Sequence, residues 1–269
     1  MHSIHKICEK LREQKPLIHC ITNPISINQC ANAVLAVGAR PIMAEHPKEV
    51  REITETASAL MLNLGNITDV RMASMQISAQ AASRKQIPIL LDAVGVACSK
   101  LRRDYVSNMI KATMPTVIKG NYSEINALYH ESYCSSGVDA DAALDVRAMD
   151  QAAVELARAY HTVILASGKV DIVTDGTRLV HIKNGTPQLS GITGTGCMLG
   201  ALAASYLSAK PDMDAAITAC VMLGICGQLA ETGRGSGSFM VGLMDALSTV
   251  KNTDIERYLD MEEIEIEKL

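Results

Sequence analysis

Short apolar runs alternate with longer stretches of helical periodicity along most of the chain. The short runs are rich in β-branched and aliphatic side chains and are bounded by polar residues, glycine or proline, which predicts buried strands. The longer stretches repeat their apolar positions about every three to four residues, which predicts helices. Strands and helices that alternate in this way indicate an α/β fold with a mostly parallel central sheet and helices on both faces.

The predicted strands are Leu17–Ile21, Ala59–Leu64, Ile87–Leu91, Thr116–Lys119, Thr162–Ala166, Asp171–Thr174 and Leu179–Ile182. The predicted helices are Ile25–Val37, Thr68–Arg84, Tyr105–Thr113, Ser123–Leu128, Met149–Tyr160, Cys197–Ala209, Met213–Glu231 and Val241–Leu247. No linker rich in proline, glycine or serine divides these elements, so residues 1–269 are predicted to form a single domain.

Asp175 and Gly176 separate the last two predicted strands. Asp-Gly between two apolar runs is a strong hairpin signal, because glycine adopts the left-handed backbone that tight hairpin turns require. Part of the sheet is therefore predicted to be antiparallel.

The apolar residues, 48% of the chain, are almost all aliphatic, with no tryptophan and one phenylalanine. This composition favours helices packed on a parallel sheet. The net charge of −4 is small, and no long run of one sign occurs. Nucleic acid is not expected as a partner, because phosphate binding needs a clustered basic face.

The most apolar stretch, residues 215–230, contains Thr218 and Gln228. It falls short of the roughly 20 apolar residues that a membrane-spanning helix needs, so no membrane association is expected. The eight cysteines form no Cys-x-x-Cys pair, several lie in apolar segments, and the first residues lack a signal-peptide core. These features predict a protein of the reducing cytoplasm.

Polar residues follow several of the predicted strands. Asn23, Asp92, residues 119–121 and Ser167 all stand where an apolar run ends. In open α/β sheets, ligands bind beyond the carboxyl ends of the strands. These residues are therefore the first candidates for a functional site.

Glycines at 194 and 196 stand directly before Cys197 and a run of small residues. Glycine lets the backbone approach a ligand, and the free N–H groups at a helix start form an anion site. A phosphoryl group could be stabilised there during transfer, and Cys197 could accept a proton from a substrate hydroxyl or orient it. The alternative is a turn before a tightly packed helix, with Cys197 an ordinary core residue. A Walker A motif is excluded, since no Gly-Lys-Ser/Thr follows.

Two carboxylates are candidate Mg²⁺ ligands. Asp92 ends a predicted strand, and Glu124 lies three residues after Asn121. Carboxylate oxygens beside a phosphate site suit Mg²⁺, which usually keeps several waters. Asp92 could instead cap a helix or turn, and Asn121 with Glu124 resembles a helix capping box. Lys119 and Ser167 could contact nucleotide phosphates, although each could also be a plain polar strand end.

Asn28 and Asn32 lie one turn apart on the first predicted helix, where capping or interhelical hydrogen bonding is the simpler explanation. Met43 could line a pocket for a small sulfur heterocycle, or it could fill a gap in the core.

Taken together, these segments resemble the hydroxyethylthiazole kinases of the ribokinase-like superfamily. The matching stretches follow the family's order over nearly the whole chain: Ile21–Asn23, Asn28, Ala31–Ala33, Ala36–Met43, Leu62–Gly65, Leu91–Val96, Ile118–Ile125, Ser167–Gly176, Thr193–Met198 and Gly235–Phe239.

The resemblance implies a ribokinase-like three-layer α/β/α fold and ATP-dependent phosphorylation of 4-methyl-5-(2-hydroxyethyl)thiazole, a step of thiamine synthesis or salvage. It makes Gly194 and Gly196 part of the anion hole. It places Cys197 where most of the superfamily has an aspartate base. The family is also trimeric, with active sites at subunit interfaces, so a homotrimer is expected.

The resemblance also assigns binding roles. It gives Mg²⁺ to Asp92 and Glu124, and ATP contacts to Lys119, Asn121 and Ser167. The implied substrate contacts are Met43, Gly194 and Asn23.

Three positions depart from the family pattern. Ala93 stands where the family usually has proline, Lys119 where it usually has arginine, and Pro24 where it often has an aromatic residue. Lysine keeps the charge of arginine but loses its planar fork, which bears on ATP affinity more than on the reaction.

Three other functions stay open at this point. One is a sister kinase for hydroxymethylpyrimidine or another small alcohol, against which Cys197 argues. The second is a ribokinase-like lyase that repairs hydrated nicotinamide nucleotides with ATP. The third is a thiazole sensor without catalysis.

Overall fold

The computed structural model describes residues 2–130, 133–135 and 145–268. Its strands are β1 (Leu17–Ile21), β2 (Arg40–Ile42), β3 (Ala59–Asn63), β4 (Ile89–Asp92), β5 (Val117–Asn121), β6 (Val163–Ser167), β7 (Asp171–Thr174), β8 (Leu179–Ile182) and β9 (Met261–Ile264). In this part of the chain they form one sheet in the order β2-β1-β3-β4-β5-β6-β7-β8-β9. The pairs from β2 to β6 are parallel, and those from β6 to β9 are antiparallel.

Helices cover both faces of this sheet. They are α1 (His2–Gln14), α2 (Ile27–Ala36), α3 (Val50–Thr56), α4 (Asp69–Lys85), α5 (Lys100–Thr113), α6 (Tyr122–Tyr129), α7 (Val146–Tyr160), α8 (Thr195–Ala209), α9 (Met213–Leu229), α10 (Ser236–Thr249) and α11 (Asn252–Tyr258). Short 3₁₀ turns lie at Pro187–Leu189 and Ile266–Lys268.

The alternation of side chains along each strand separates two apolar layers. In β3, Met61 belongs to the layer formed with α1, α2, α8, α9 and α10, whereas Leu60 and Leu62 belong to the layer formed with α3 to α7. All three side chains are fully buried. The predicted three-layer α/β/α fold with a mostly parallel sheet is therefore confirmed. That residues 1–269 form one domain stays a prediction.

The predicted hairpin is confirmed as the antiparallel pair β7 and β8. Gly176 lies in its turn with φ +87°, a conformation that favours glycine. No helix in the described ranges combines the length and apolar character needed to cross a membrane.

Several strands and helices of the structure were not predicted from the sequence. The strand β2 contains Pro41, which an edge strand tolerates because one side of it needs no ladder bond. The strand β9 is also at an edge and carries two glutamates, Glu262 and Glu263. The helices α1, α3 and α11 were missed, and α5 begins five residues before the predicted Tyr105. Ser99 caps α5 by accepting from the Arg102 N–H. Four of the five residues before Tyr105 are charged, and the fifth, Leu101, is 60% exposed, so no buried apolar position marks the start of this helix.

Candidate active site

The parallel strands β2, β1, β3, β4, β5 and β6 end along one edge of the sheet, and this edge collects the candidate residues. Met43 follows β2, Asn23 follows β1, Asn63 and Asp92 end β3 and β4, Lys119 and Asn121 lie at the end of β5, and Ser167 ends β6. The strand register sets Asn63 beside Asp92 and Asp92 beside Lys119. One row of side chains therefore crosses three neighbouring strands.

The glycine turn lies at the start of α8, as predicted, although the helix begins at Thr195 rather than Cys197. Gly194 is the N-cap residue, with φ +95°, and a Cβ there would lie 3.1 Å from Ser26 Cβ. The positive φ favours glycine, and a Cβ would in addition require Ser26 to shift by a few tenths of an ångström. The Thr195 hydroxyl donates to the Leu189 carbonyl at 2.8 Å and thereby orders the approach to the helix. The N-cap Gly194 has no side chain with which to cap α8, so the first N–H groups of the helix receive no cap from that residue and can bind another partner.

The helix α8 also packs very closely on the sheet. A Cβ at Gly200 would lie 2.9 Å from Met61 Cε and 3.3 Å from Asp92 Oδ2. The tight-packing explanation of the small residues is therefore correct, and it serves the site, because it brings the start of α8 over the strand ends. A Cβ at Gly196 would lie 3.6 Å from Lys119 Nζ, so an ammonium group sits close to the uncapped turn.

Lys119 and Asp92 form a buried ion pair. The Lys119 ammonium donates to both Asp92 carboxylate oxygens, at 3.0 Å and 3.2 Å. Burial acts to lower the pKa of Lys119, but the negative charges of Asp92 and Glu124 outweigh it and raise that pKa above its ordinary value. Lys119 is therefore protonated at neutral pH. The structure places its ammonium beside the start of α8 and not at the open surface.

Glu124 belongs to a complete capping box at the start of α6. Its N–H donates to Asn121 Oδ1 at 2.9 Å, and its Oε2 accepts the Asn121 N–H at 2.7 Å. Its other oxygen accepts the Gly95 N–H at 2.8 Å. Burial raises the pKa of Glu124 to about 7, with Lys119 opposing and Asp92 reinforcing the rise. The capping alternative is therefore correct, and it leaves a buried carboxyl facing the Lys119–Asp92 pair.

Asn63 was not among the predicted site residues, yet it contacts three of them. Its Oδ1 accepts from Asn23 Nδ2 at 3.0 Å, and its Nδ2 donates to Asp92 Oδ2 at 2.8 Å and to Cys197 Sγ at 3.3 Å. Asn23 Nδ2 also donates to Cys197 Sγ, at 3.4 Å. The sequence carried a signal, since Asn63 is the one polar residue in the predicted strand Ala59–Leu64, but only the structure shows that it ends β3 as Asp92 ends β4.

In the part of the chain that the structure describes, the other predicted residues make no hydrogen bond to the network around Asn63. The Ser167 hydroxyl donates to the Gly120 carbonyl at 3.4 Å, and Met43 is half-buried against the α1/α2/α8 layer. Asn32 donates back to the carbonyl and side-chain oxygens of Asn28 at 3.0 Å each, on the exposed surface of α2. The bond between Asn28 and Asn32 is thus made within one helix and not between helices.

One departure from the family pattern acts through the backbone. The Ala93 N–H donates to the Lys119 carbonyl at 2.8 Å and extends the β4–β5 pairing by one bond. Proline has no N–H and could not make this bond. Two of the departures, Ala93 and Lys119, are therefore in direct contact.

Comparison with known proteins gives a consistent result. A family model described as the hydroxyethylthiazole kinase family matches residues 8–253. A protein named hydroxyethylthiazole kinase 2 from Clostridium botulinum strain Hall is 46% identical over 252 residues, which cover 92% of this chain and 95% of the relative. The solved structure of a hydroxyethylthiazole kinase protein from Pyrococcus horikoshii OT3 has a TM-score of 0.91 at 32% identity and covers 98% of this chain and 100% of that one. A ribokinase-like superfamily protein from Enterococcus faecalis V583 shares the fold, with a TM-score of 0.63 at 14% identity over 93% and 94% of the two chains.

Proposed function

Because this chain belongs to the hydroxyethylthiazole kinase family, it is an ATP-dependent small-molecule kinase, and we propose that it phosphorylates the hydroxyl of 4-methyl-5-(2-hydroxyethyl)thiazole. The product would feed thiamine phosphate synthesis or salvage. The observation that carries the proposal is the start of α8, where an uncapped helix turn, the Lys119 ammonium and the Cys197 thiol meet. Such a site suits transfer of a phosphoryl group to an alcohol.

We propose direct in-line transfer without a phosphoenzyme. The acceptor oxygen forms a bond to the γ-phosphorus while the bond from phosphorus to the ADP oxygen breaks. The N–H groups of residues 194–197 stabilise the transferring charge, together with the ammonium of Lys119. Cys197 orients the hydroxyl or takes its proton. Most of the rate enhancement comes from positioning and electrostatics.

The two carboxylates fit Mg²⁺. Asp92 and Glu124 are buried oxygen donors that face a single lysine, so when both are ionised their combined charge exceeds that of Lys119. Each Glu124 oxygen accepts one backbone N–H, which leaves a lone pair on each for a metal-bound water. When bound, Mg²⁺ would neutralise charge on the β- and γ-phosphates.

The residues that we propose to bind ATP and the thiazole lie along this same edge of the sheet. We assign ATP contacts to Lys119, Asn121 and Ser167, at the ends of β5 and β6. We assign the thiazole contacts to Met43, which follows β2, Asn23, which follows β1, and Gly194, at the start of α8. In this arrangement the acceptor lies on the β2 side of Cys197 and the nucleotide on the β6 side.

A coupled ATP assay with hydroxyethylthiazole, with and without Mg²⁺, tests this function. We expect ATP turnover that needs both the thiazole alcohol and Mg²⁺, and a phosphorylated thiazole as the product. Preference for hydroxymethylpyrimidine in a substrate panel would contradict the acceptor. Phosphate release without a phosphorylated acceptor would indicate the repair lyase, and thiazole binding without turnover would indicate a sensor.

Replacement of Cys197 tests the reaction centre itself. Cys197→Ala should lower kcat by roughly 10²–10⁴ if the thiol moves the proton, with little change in ATP binding. Cys197→Asp should retain activity if proton removal limits the rate. An unchanged kcat in Cys197→Ala would remove the thiol from the reaction, but not the anion hole, which is backbone.

We also propose a homotrimer. Ile25, Leu35 and Val241 are apolar side chains that are 61%, 55% and 63% exposed, just before α2, on α2 and on α10. The helices α2 and α10 are in contact, and exposed apolar groups on neighbouring helices favour an interface. Leu35 borders a groove of about 420 Å³ between α2 and α10, which suits a second copy of the chain. Sedimentation velocity should give the mass of three chains, and a monomer at micromolar concentration would contradict the assembly. The cytoplasm stays the predicted compartment.

A further inference from the structure

Every hydrogen-bonding group of the Asn63 amide is used, and each by a different part of the site. The Oδ1 accepts two N–H groups, from Asn23 Nδ2 at 3.0 Å and from the Gly65 backbone at 2.9 Å. The two hydrogens of Nδ2 go to Asp92 Oδ2 at 2.8 Å and to Cys197 Sγ at 3.3 Å. The Asn63 side chain itself is fully buried.

These partners allow only one orientation of the amide. If the amide were flipped, Oδ1 would face the carboxylate of Asp92, and Nδ2 would face the N–H groups of Gly65 and Asn23. Both contacts would be repulsive. The Asp92 carboxylate thus holds one Nδ2 hydrogen, and the planar amide must then direct the other hydrogen at Cys197 Sγ.

The sulfur of Cys197 receives a second N–H from Asn23 Nδ2, at 3.4 Å. Asn23 Nδ2 is itself oriented by its other bond, to Asn63 Oδ1. Two N–H donors fix the direction in which the sulfur lone pairs point. A sulfur held in this way can orient a hydroxyl group or, as a thiolate, accept its proton.

We propose that Asn63 is a positioning residue for phosphoryl transfer, which orients the Cys197 thiol by an amide anchored on Asp92. The proposal rests on the function proposed above. It adds a structural connection between the thiol at the acceptor hydroxyl, Cys197, and the carboxylate at the metal site, Asp92. The side chain that faces the acceptor hydroxyl and the carboxylate assigned to the metal are held in one arrangement by a single amide. Asn63 acts on the substrate only through Cys197, to whose sulfur it donates.

A double-mutant cycle on kcat tests this link. Asn63→Ala should lower kcat roughly tenfold or more in the unsubstituted enzyme, with KM for the thiazole alcohol and for ATP changed less than about threefold. In the Cys197→Ala background the same change should alter kcat less than about twofold. Equal losses in both backgrounds would show that Asn63 acts through the fold or through Asp92 alone, and would overturn the proposal.

A second measurement needs no turnover. The alkylation rate of Cys197 by iodoacetamide, followed by peptide mass spectrometry, should fall about threefold or more in Asn63→Ala. The exposed Cys98 is the internal reference and should react at an unchanged rate. An unchanged or faster rate at Cys197 would contradict the proposal. A lack of transfer to hydroxyethylthiazole would contradict the proposed function instead, and these alkylation rates would still test Asn63.

Asn184→Ala is the matched control. Asn184 is also buried, and its Nδ2 also donates twice, to Gln228 Oε1 and to the Tyr258 carbonyl, in another part of the chain. It should lower Tm without changing kcat or the alkylation of Cys197. If Asn63→Ala fails to fold, Asn63→Ser takes its place. A serine hydroxyl has one hydrogen, which the charged Asp92 would take, so Cys197 should again lose its donor and show the same two effects.

Discussion

The helices α6 and α8 begin at the same edge of the sheet, but the N–H groups of their first turns are capped differently. The start of α6 is closed by its own residues, because Asn121 and Glu124 satisfy each other's backbone N–H groups. The start of α8 has glycine at the N-cap and no side-chain cap. One helix start therefore carries a fixed carboxyl group, while the other keeps its N–H groups for a ligand.

This difference indicates where the site attracts an anion and where it attracts a cation. Free N–H groups and the helix dipole attract an anion at α8, and the buried Glu124 carboxyl attracts a cation at α6. Lys119 lies between them, paired with Asp92 and close to Gly196. A phosphoryl group and its metal ion need such a pair of opposite environments side by side.

Gly194→Ala should have the largest effect, because it alters the start of α8, where the N–H groups are kept for an anion. Position 194 has φ +95°, which strains any residue with a Cβ, and an added Cβ would crowd Ser26 Cβ at 3.1 Å. Alanine should therefore reshape the turn and misdirect the N–H groups. We expect kcat to fall by about 10²–10³, as when a preorganised donor is lost, and stability to fall by about 1–3 kcal/mol. Steady-state kinetics and urea unfolding measure the two effects.

Gly235→Ala is the control for this change. Gly235 is the N-cap of α10, with φ +109°, and apart from its chain neighbours no atom of the described residues lies within 4 Å of an added Cβ. It should lose stability by a similar backbone mechanism while kcat changes less than about threefold. A similar drop in kcat for both variants would show that the turn at 194 has no special role.

Glu124→Gln tests the cation side. Glutamine keeps the shape and part of the capping box but removes the charge. We expect the Mg²⁺ concentration at half-maximal rate to rise roughly tenfold. Glu52→Gln, in the first turn of α3, is the control and should leave the Mg²⁺ dependence unchanged. If Glu124→Gln also leaves it unchanged, Glu124 is only a cap.

The same carboxyl should make stability depend on pH. Its pKa is raised from 4.5 to about 7 by burial, so the folded state holds a proton that the unfolded state releases. Between these values the folded state binds more protons, and the free energy of unfolding must fall as pH rises, by on the order of 3 kcal/mol. Urea unfolding between pH 5 and pH 8 without Mg²⁺ should show this decline in the wild type and a smaller one in Glu124→Gln. An identical decline in both proteins would assign it to other groups.

Local patterns explain what the sequence could predict. The capping box at Asn121 and the glycine turn at Gly194 are each contained in a few neighbouring residues. The rule that ligands bind at strand ends then placed both at one edge of a parallel sheet. The polar residue that ends a buried run, such as Asp92, was visible for the same reason.

The contacts between these positions were not predictable in this way. Asn63 and Cys197 are 134 positions apart, and their bond depends on the close packing of α8 on β3. The Lys119–Asp92 ion pair depends on the register of β4 against β5. A single sequence shows neither the register of β4 against β5 nor how closely α8 packs on the sheet. Lys119 could therefore be identified as a cation, but its position beneath the glycine turn of α8 could not be predicted.

Asn121→Ala is the mildest change and separates capping from ligand binding. Loss of the bond from the Glu124 N–H to Asn121 Oδ1 should cost about 1 kcal/mol, the usual effect of an N-cap. Thr68→Ala at the start of α4 removes an equivalent bond, from the Arg71 N–H, and should cost about the same. Urea unfolding of both variants therefore gives the capping effect alone.

The kinetics of the two variants then differ only if Asn121 has a second role. We expect KM for ATP to rise severalfold in Asn121→Ala and to stay unchanged in Thr68→Ala, because Asn121 stands beside Ser167 in the β5–β6 register at the proposed nucleotide end of the site. Equal KM values in the two variants would restrict Asn121 to capping. The closed helix start would then contribute to the reaction only through Glu124, and the difference between α6 and α8 would be one of charge alone.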